Sequence, residues 1–101
     1  MPMPISLVVQ NQSHETLRRV TAELKDLGSF AMRLPSDEGL LLRGIHPYGD
    51  TYFNMIQLRF IIHEIEQLTP RYPGQNSMLE VIAVAAKEAI DARGYLMFVG
   101  D

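Results

Sequence analysis

The chain has 101 residues, 47% apolar and 21% charged, with a formal net charge of -3 and no cysteine. That is the length of one domain, residues 1–101, with enough chain to bury a core without staples. It excludes a disulfide framework, a thiolate metal site and a thiol nucleophile, and nine basic residues scattered without a block argue against nucleic acid as the partner.

Met1-Pro2-Met3-Pro4-Ile5 has no basic region and only a short apolar run, so it does not read as a signal peptide. Ile5-Ser6-Leu7-Val8-Val9 is β-branched and short, and reads as a strand. Asn11-Gln12-Ser13 punctuates. Ser13 is then expected to cap a helix running to about Leu27, because Leu17, Val20, Leu24 and Leu27 fall at i, i+3, i+7 and i+10. Glu15 would reach Arg18 and Arg19 on its outer face, and Gly28 would stop it. Arg18, Arg19 and Lys25 read as a solvated helix face rather than a site for an acidic partner.

Residues 29–34 and 39–45 are two apolar runs around Pro35-Ser36-Asp37-Glu38-Gly39, the pattern of a β-hairpin. The unbroken Leu40-Leu41-Leu42 suggests a strand buried on both faces. Pro47 ends that strand by forcing His46 extended, and Tyr48-Gly49-Asp50 is turn chemistry. Asp50 or Thr51 is expected to cap a helix from about Tyr52 to Leu68. Leu58, Ile61, Ile62, Ile65 and Leu68 share one face of it, with Phe53, Ile56 and Phe60 beside them, so the helix should lie sandwiched between sheet and another helix. Gln57, Arg59 and His63-Glu64 interrupt this stretch, the most apolar in the chain, so it should not span a membrane.

Residues 69–76 form a loop with two prolines and a glycine. Ser77 and Glu80 have the spacing of a capping box. The helix they would open carries Met78, Leu79, Ile82, Ala83, Ala85, Ala86, Ala89 and Ile90 on one face and ends at Gly94. Tyr95-Leu96-Met97-Phe98-Val99 is apolar throughout and reads as an inner strand. The expected order is β-α-β-β-α-α-β: an α+β domain with one small mixed sheet of about four strands and three helices mainly on one face. If the first two strands are neighbours they should be parallel, joined by a right-handed crossover.

Few residues suggest chemistry. His63-Glu64 matches half of a zinc-protease helix motif, but Gln67 stands where the second histidine belongs. His46, Asp50 and Asp101 have no ligand spacing, so neither metal nor cofactor is expected. No nucleophile elbow, phosphate loop or dinucleotide fingerprint is present. What remains is the 44–57 run, dense in His, Tyr, Asp, Asn and Gln. Phe53, Gln57, Phe60 and Glu64 form one helical stripe, and a polar group buried there without a partner would cost about 1–3 kcal/mol. Asn54, Gln57 and Glu64 therefore either complete an internal network or face a ligand. His46, Tyr48, Asp50, Tyr52, Asn54, Gln57 and Glu64 are the candidate binding residues, with Tyr48 and Tyr52 as interface anchors.

Pro47-Tyr48-Gly49-Asp50-Thr51, followed by Phe53-Asn54, Gln57 and Glu64, and then Phe98-Val99-Gly100-Asp101, resembles a family of small uncharacterised bacterial proteins. Their pattern is D-P-Y-G-D-T-x-F-N-x-x-Q with a C-terminal F-I-G-D. His46 and Val99 depart from it. The resemblance covers the C-terminal part of the chain, leaves residues 1–40 unmatched, and implies a bacterial origin and a turn at 47–57 that forms one unit with the Gly100-Asp101 tail. With no catalytic constellation, the expectation is a cytoplasmic, non-catalytic protein-binding module. An immunity or antitoxin-like inhibitor or an adaptor fits, with a toxin or a regulator as partner. The alternative is a small-molecule binder or small hydrolase-like enzyme with its pocket at the 46–57 turn. There His46 or Asp50 would be the acid–base group, with Asn54 and Gln57 orienting the substrate. A homodimer through the last strand or an apolar helix face is a third arrangement.

Overall fold

The computed structural model describes residues 5–21, 24, 27–35, 41–45 and 49–100. The elements are β1 (Ser6–Gln10), β2 (Thr16–Val20), α1 (Leu27–Arg33), β3 (Asp50–Phe53), α2 (Met55–Leu68), α3 (Asn76–Asp91) and β4 (Tyr95–Val99). The domain is α+β, with four strands and three helices. The strands lie in the order β2-β1-β4-β3, and every neighbouring pair is antiparallel, so the sheet is not mixed.

β1 and β4 occupy the middle, as their apolar runs suggest. Leu7 and Val9 of β1, Leu96 and Phe98 of β4, Phe53 of β3 and Val20 of β2 point to one face. Against that face lie α2 and α3 through Leu58, Ile61, Ile65, Leu79, Ile82, Ala85 and Ala86, all buried. The alanines of α3 carry so little bulk that the helix can sit close to the central strands, which it contacts directly. Phe53 meets Phe98 edge to face, with centroids 5.8 Å apart. Alternation then sends Tyr52, Met97, Val8 and Arg19 to the opposite face in a single row across the four strands.

The first half departs from the sequence expectation. No helix runs from Ser13 to Leu27. The Asn11 side-chain oxygen accepts from the amides of Ser13 (3.0 Å) and Glu15 (2.9 Å), and the His14 amide bonds the Asn11 carbonyl at 3.0 Å. These bonds close a tight hairpin and take the amides a helical first turn would need. His14 completes it in the left-handed region, at φ 63. Thr16–Val20 therefore returns along β1 antiparallel, in place of a parallel crossover. Leu17 is 55% exposed rather than core. Glu15 accepts from Asn11, and Arg18 pairs instead with Glu88 of α3 at 3.0 Å.

The expected hairpin over 29–45 is also absent among the described residues. Leu27, Phe30, Ala31 and Leu34 are buried at i, i+3, i+4 and i+7, the spacing of a helix, and form α1 and its exit. Gly28 lies inside α1 instead of ending a helix before it. Leu42–Gly44 is a 3-10 turn with only Leu42 fully buried. The turn residues 36–40 lie outside the described residues.

Two helix starts differ as well. Asp50 to Phe53 is strand rather than helix, so neither Asp50 nor Thr51 caps α2; Asn54 does. α3 begins at Asn76, directly after a 3-10 turn at Pro73–Gln75, with no side-chain cap, so Ser77 and Glu80 form no capping box. At its other end, Arg93 takes φ 54, its amide bonds the Ile90 carbonyl at 2.9 Å, and the Gly94 amide bonds the Ala89 carbonyl at 2.8 Å. That is a Schellman stop with arginine at the position glycine usually fills. Gly94 serves packing instead, being buried where β4 crosses the end of β1.

Candidate functional site

Asn54 has extended backbone and its side chain accepts from the Gln57 amide at 3.0 Å, while the Gln57 side chain accepts from the Asn54 amide at 3.0 Å. Each satisfies an amide that the first turn of α2 would leave open. Glu64, farther along the same stripe, accepts from the Leu41 amide at 3.0 and 3.2 Å and from the Leu42 amide at 3.2 Å. Its carboxylate thereby ties the 3-10 turn at 42–44 to α2. Asn54, Gln57 and Glu64 are all engaged in holding the fold. They close no pocket together, since two cap the start of the helix and the third reaches another segment.

Asp50 and Tyr52 lie on β3 and point away from the helices. Tyr52 is 50% exposed. His46 and Tyr48 lie outside the described residues, as does Asp101. The turn before β3 meets the tail after β4: Asp50 pairs with Val99, and the Gly100 amide donates to the Gly49 carbonyl at 2.8 Å.

Two neighbours of Tyr52 carry no signal in the sequence. The left-handed backbone of His14 brings its ring onto Tyr95, stacked at 4.2 Å and nearly parallel, and edge-on to Tyr52 at 6.2 Å. Gln10 lies beside the His14 ring, 3.2 Å from Nδ1. The outer sheet face thus ends in an aromatic cluster assembled from β3, β4 and the β1–β2 hairpin. A residue at the end of a polar turn gives no hint of such a partner 81 positions away.

Beyond the cluster, a groove of about 370 Å³ runs between the start of α2 and the α3–β4 connection, walled by Met55, Ile56, Arg93 and Tyr95 among others. Ile56 is 67% exposed, and Phe60, one turn farther on α2, is 61% exposed. The expected sandwich of α2 is therefore one-sided: Leu58, Ile61, Ile65 and Leu68 are covered, and the Ile56–Phe60 side is open. The angular pattern does separate these two groups, but it cannot say which of them another helix covers.

Among the described residues, no three His, Asp or Glu side chains gather as a metal site would require, and no helix is long and apolar enough to cross a membrane. Comparisons with protein-family models, with curated proteins and with solved structures return no match to this chain.

Proposed function

We propose that the protein is a non-catalytic protein-binding module, an immunity or antitoxin-like inhibitor or an adaptor of the bacterial cytoplasm, and that it holds a toxin or a regulator by contact. One observation carries this reading: Tyr52, Ile56 and Phe60, large apolar or aromatic side chains within nine residues of sequence, all stand at least half exposed. Such side chains contribute most of the energy at interfaces, each able to supply about 1.5–3 kcal/mol on burial. A pocket for small-molecule chemistry at the 46–57 turn would draw on Asn54, Gln57 and Glu64, whose side-chain oxygens already accept from backbone amides.

The test is affinity purification of the tagged chain from its own cells, together with the product of a neighbouring gene, followed by the same purification with Ile56→Ser and Phe60→Ser combined. Both changes are at exposed positions, so folding should survive, as circular dichroism will show. The expected result is a stoichiometric partner that the double variant loses. If nothing is retained by either chain, or the double variant holds the partner equally well, the reading fails.

A further inference from the structure

Two exposed arginines stand by Ile56 and Phe60, in a chain whose net charge is -3. Arg59 lies between the two apolar residues in sequence, on the exposed side of α2. Arg93 lines the groove with Ile56 and is exposed. Among the described residues neither arginine has an ion-pair partner, whereas Arg18 pairs with Glu88. Glu64, one turn beyond Phe60, is turned to the Leu41 and Leu42 amides. The open apolar patch is therefore flanked by two unneutralised guanidinium groups, beside a concavity with an aromatic wall at Tyr95.

Guanidinium groups left unpaired beside exposed apolar side chains favour a partner that brings carboxylates and apolar groups together. We infer that the Ile56–Phe60 side of α2 and the adjoining groove bind an acidic amphipathic segment of a partner protein. Its apolar side chains would cover Ile56 and Phe60 and enter the groove, and its Asp or Glu side chains would meet Arg59 and Arg93. The concave groove suits an inserted side chain better than the flat surface of a bilayer. The inference rests on the protein-binding reading above and gives that partner its chemistry.

The test uses two labelled amphipathic peptides with identical Leu and Phe positions, one with Glu and one with Lys between them, titrated into the full chain. Anisotropy reads affinity, and amide NMR shifts read the location. The Glu peptide is expected to perturb Ile56, Arg59, Phe60 and Arg93 and to bind at least about tenfold tighter than the Lys peptide. Binding should weaken with added salt and fall about tenfold or more in the Arg59→Glu, Arg93→Glu double variant. No binding of the Glu peptide up to about 1 mM overturns the inference. So does equal binding of the Lys peptide, or a footprint elsewhere. Capture by phosphatidylglycerol vesicles without peptide binding would overturn it in favour of a lipid surface. If a cellular partner is retained undiminished by the charge-reversed variant, this inference falls and the protein-binding reading stands. A Glu peptide bound at the patch with no cellular partner retained gives the reverse outcome.

Discussion

Gly94 is the position where one added carbon should cost most. It is buried at the start of β4, and a Cβ there would fall on the Gln10 carbonyl oxygen and lie 2.7 Å from both the Cα and the carbonyl carbon of Asn11. Comfortable carbon–carbon contacts lie at about 3.5–4.0 Å, so roughly 1 Å of separation must be opened. The nearest obstacles are all backbone atoms of Gln10 and Asn11, so no side chain can swing away to relieve them. Relief has to come from parting β4 from β1 where Gln10 faces Tyr95, which would also shift Tyr95 under the His14 ring. Such overpacking costs about 1–3 kcal/mol, and loosening that end of the ladder adds about 1 kcal/mol. Restricting the unfolded chain returns about 0.4–1 kcal/mol. Gly94→Ala should therefore lose roughly 2–3 kcal/mol in urea unfolding and melt more than about 10 °C lower. Gly74→Ala is the control, since nothing lies within 4 Å of a Cβ there and the change should be neutral or mildly stabilising. A Gly94→Ala protein within about 0.5 kcal/mol of the parent would refute the argument that backbone contact requires glycine.

Three other substitutions test the roles of polar and strained residues. Asn54→Ala removes the cap of α2 and should cost about 1 kcal/mol in urea unfolding; an unchanged midpoint would mean the capping box contributes nothing. Glu64→Ala strips the Leu41 and Leu42 amides of their acceptor and should cost about 1–3 kcal/mol, with Glu64→Gln losing less because one oxygen remains. Arg93→Gly relieves a side chain held at φ 54 and should raise thermal stability by about 1 kcal/mol, while a lower melting temperature would show that the arginine side chain contributes more than its backbone costs.

The second half of the chain is the more legible half, for physical reasons. α2, α3 and β4 are each long or uniformly apolar enough for periodicity to identify them, to within a few residues of their ends. In the first half, short elements compete with nearby alternatives. The stripe from Leu17 to Leu27 has helical spacing, but one Asn11 side chain redirects two amides and turns its first part into a strand. Leu27, Phe30, Ala31 and Leu34 have equally good helical spacing, masked by the turn formers that follow. At the candidate site, the need of Gln57 and Glu64 for partners is readable from the helical stripe and that of Asn54 from its place among apolar positions, and the structure supplies those partners from backbone. The cluster of His14, Tyr52 and Tyr95 is not readable, because it depends on sheet order and on a left-handed residue in a hairpin.

The sheet order also governs how the molecule is made. β4 is synthesised after every other element described, yet it is the strand that joins β1 to β3. Until it emerges, the N-terminal hairpin and β3 each expose an unpaired edge and the helices have only part of a surface to cover. At ordinary translation speeds that interval is on the order of 10 s. A nascent chain in this state offers ladder groups to any extended neighbour, so holding factors and a pause-free message through the α3 codons should matter more for its yield than the stability of the finished domain.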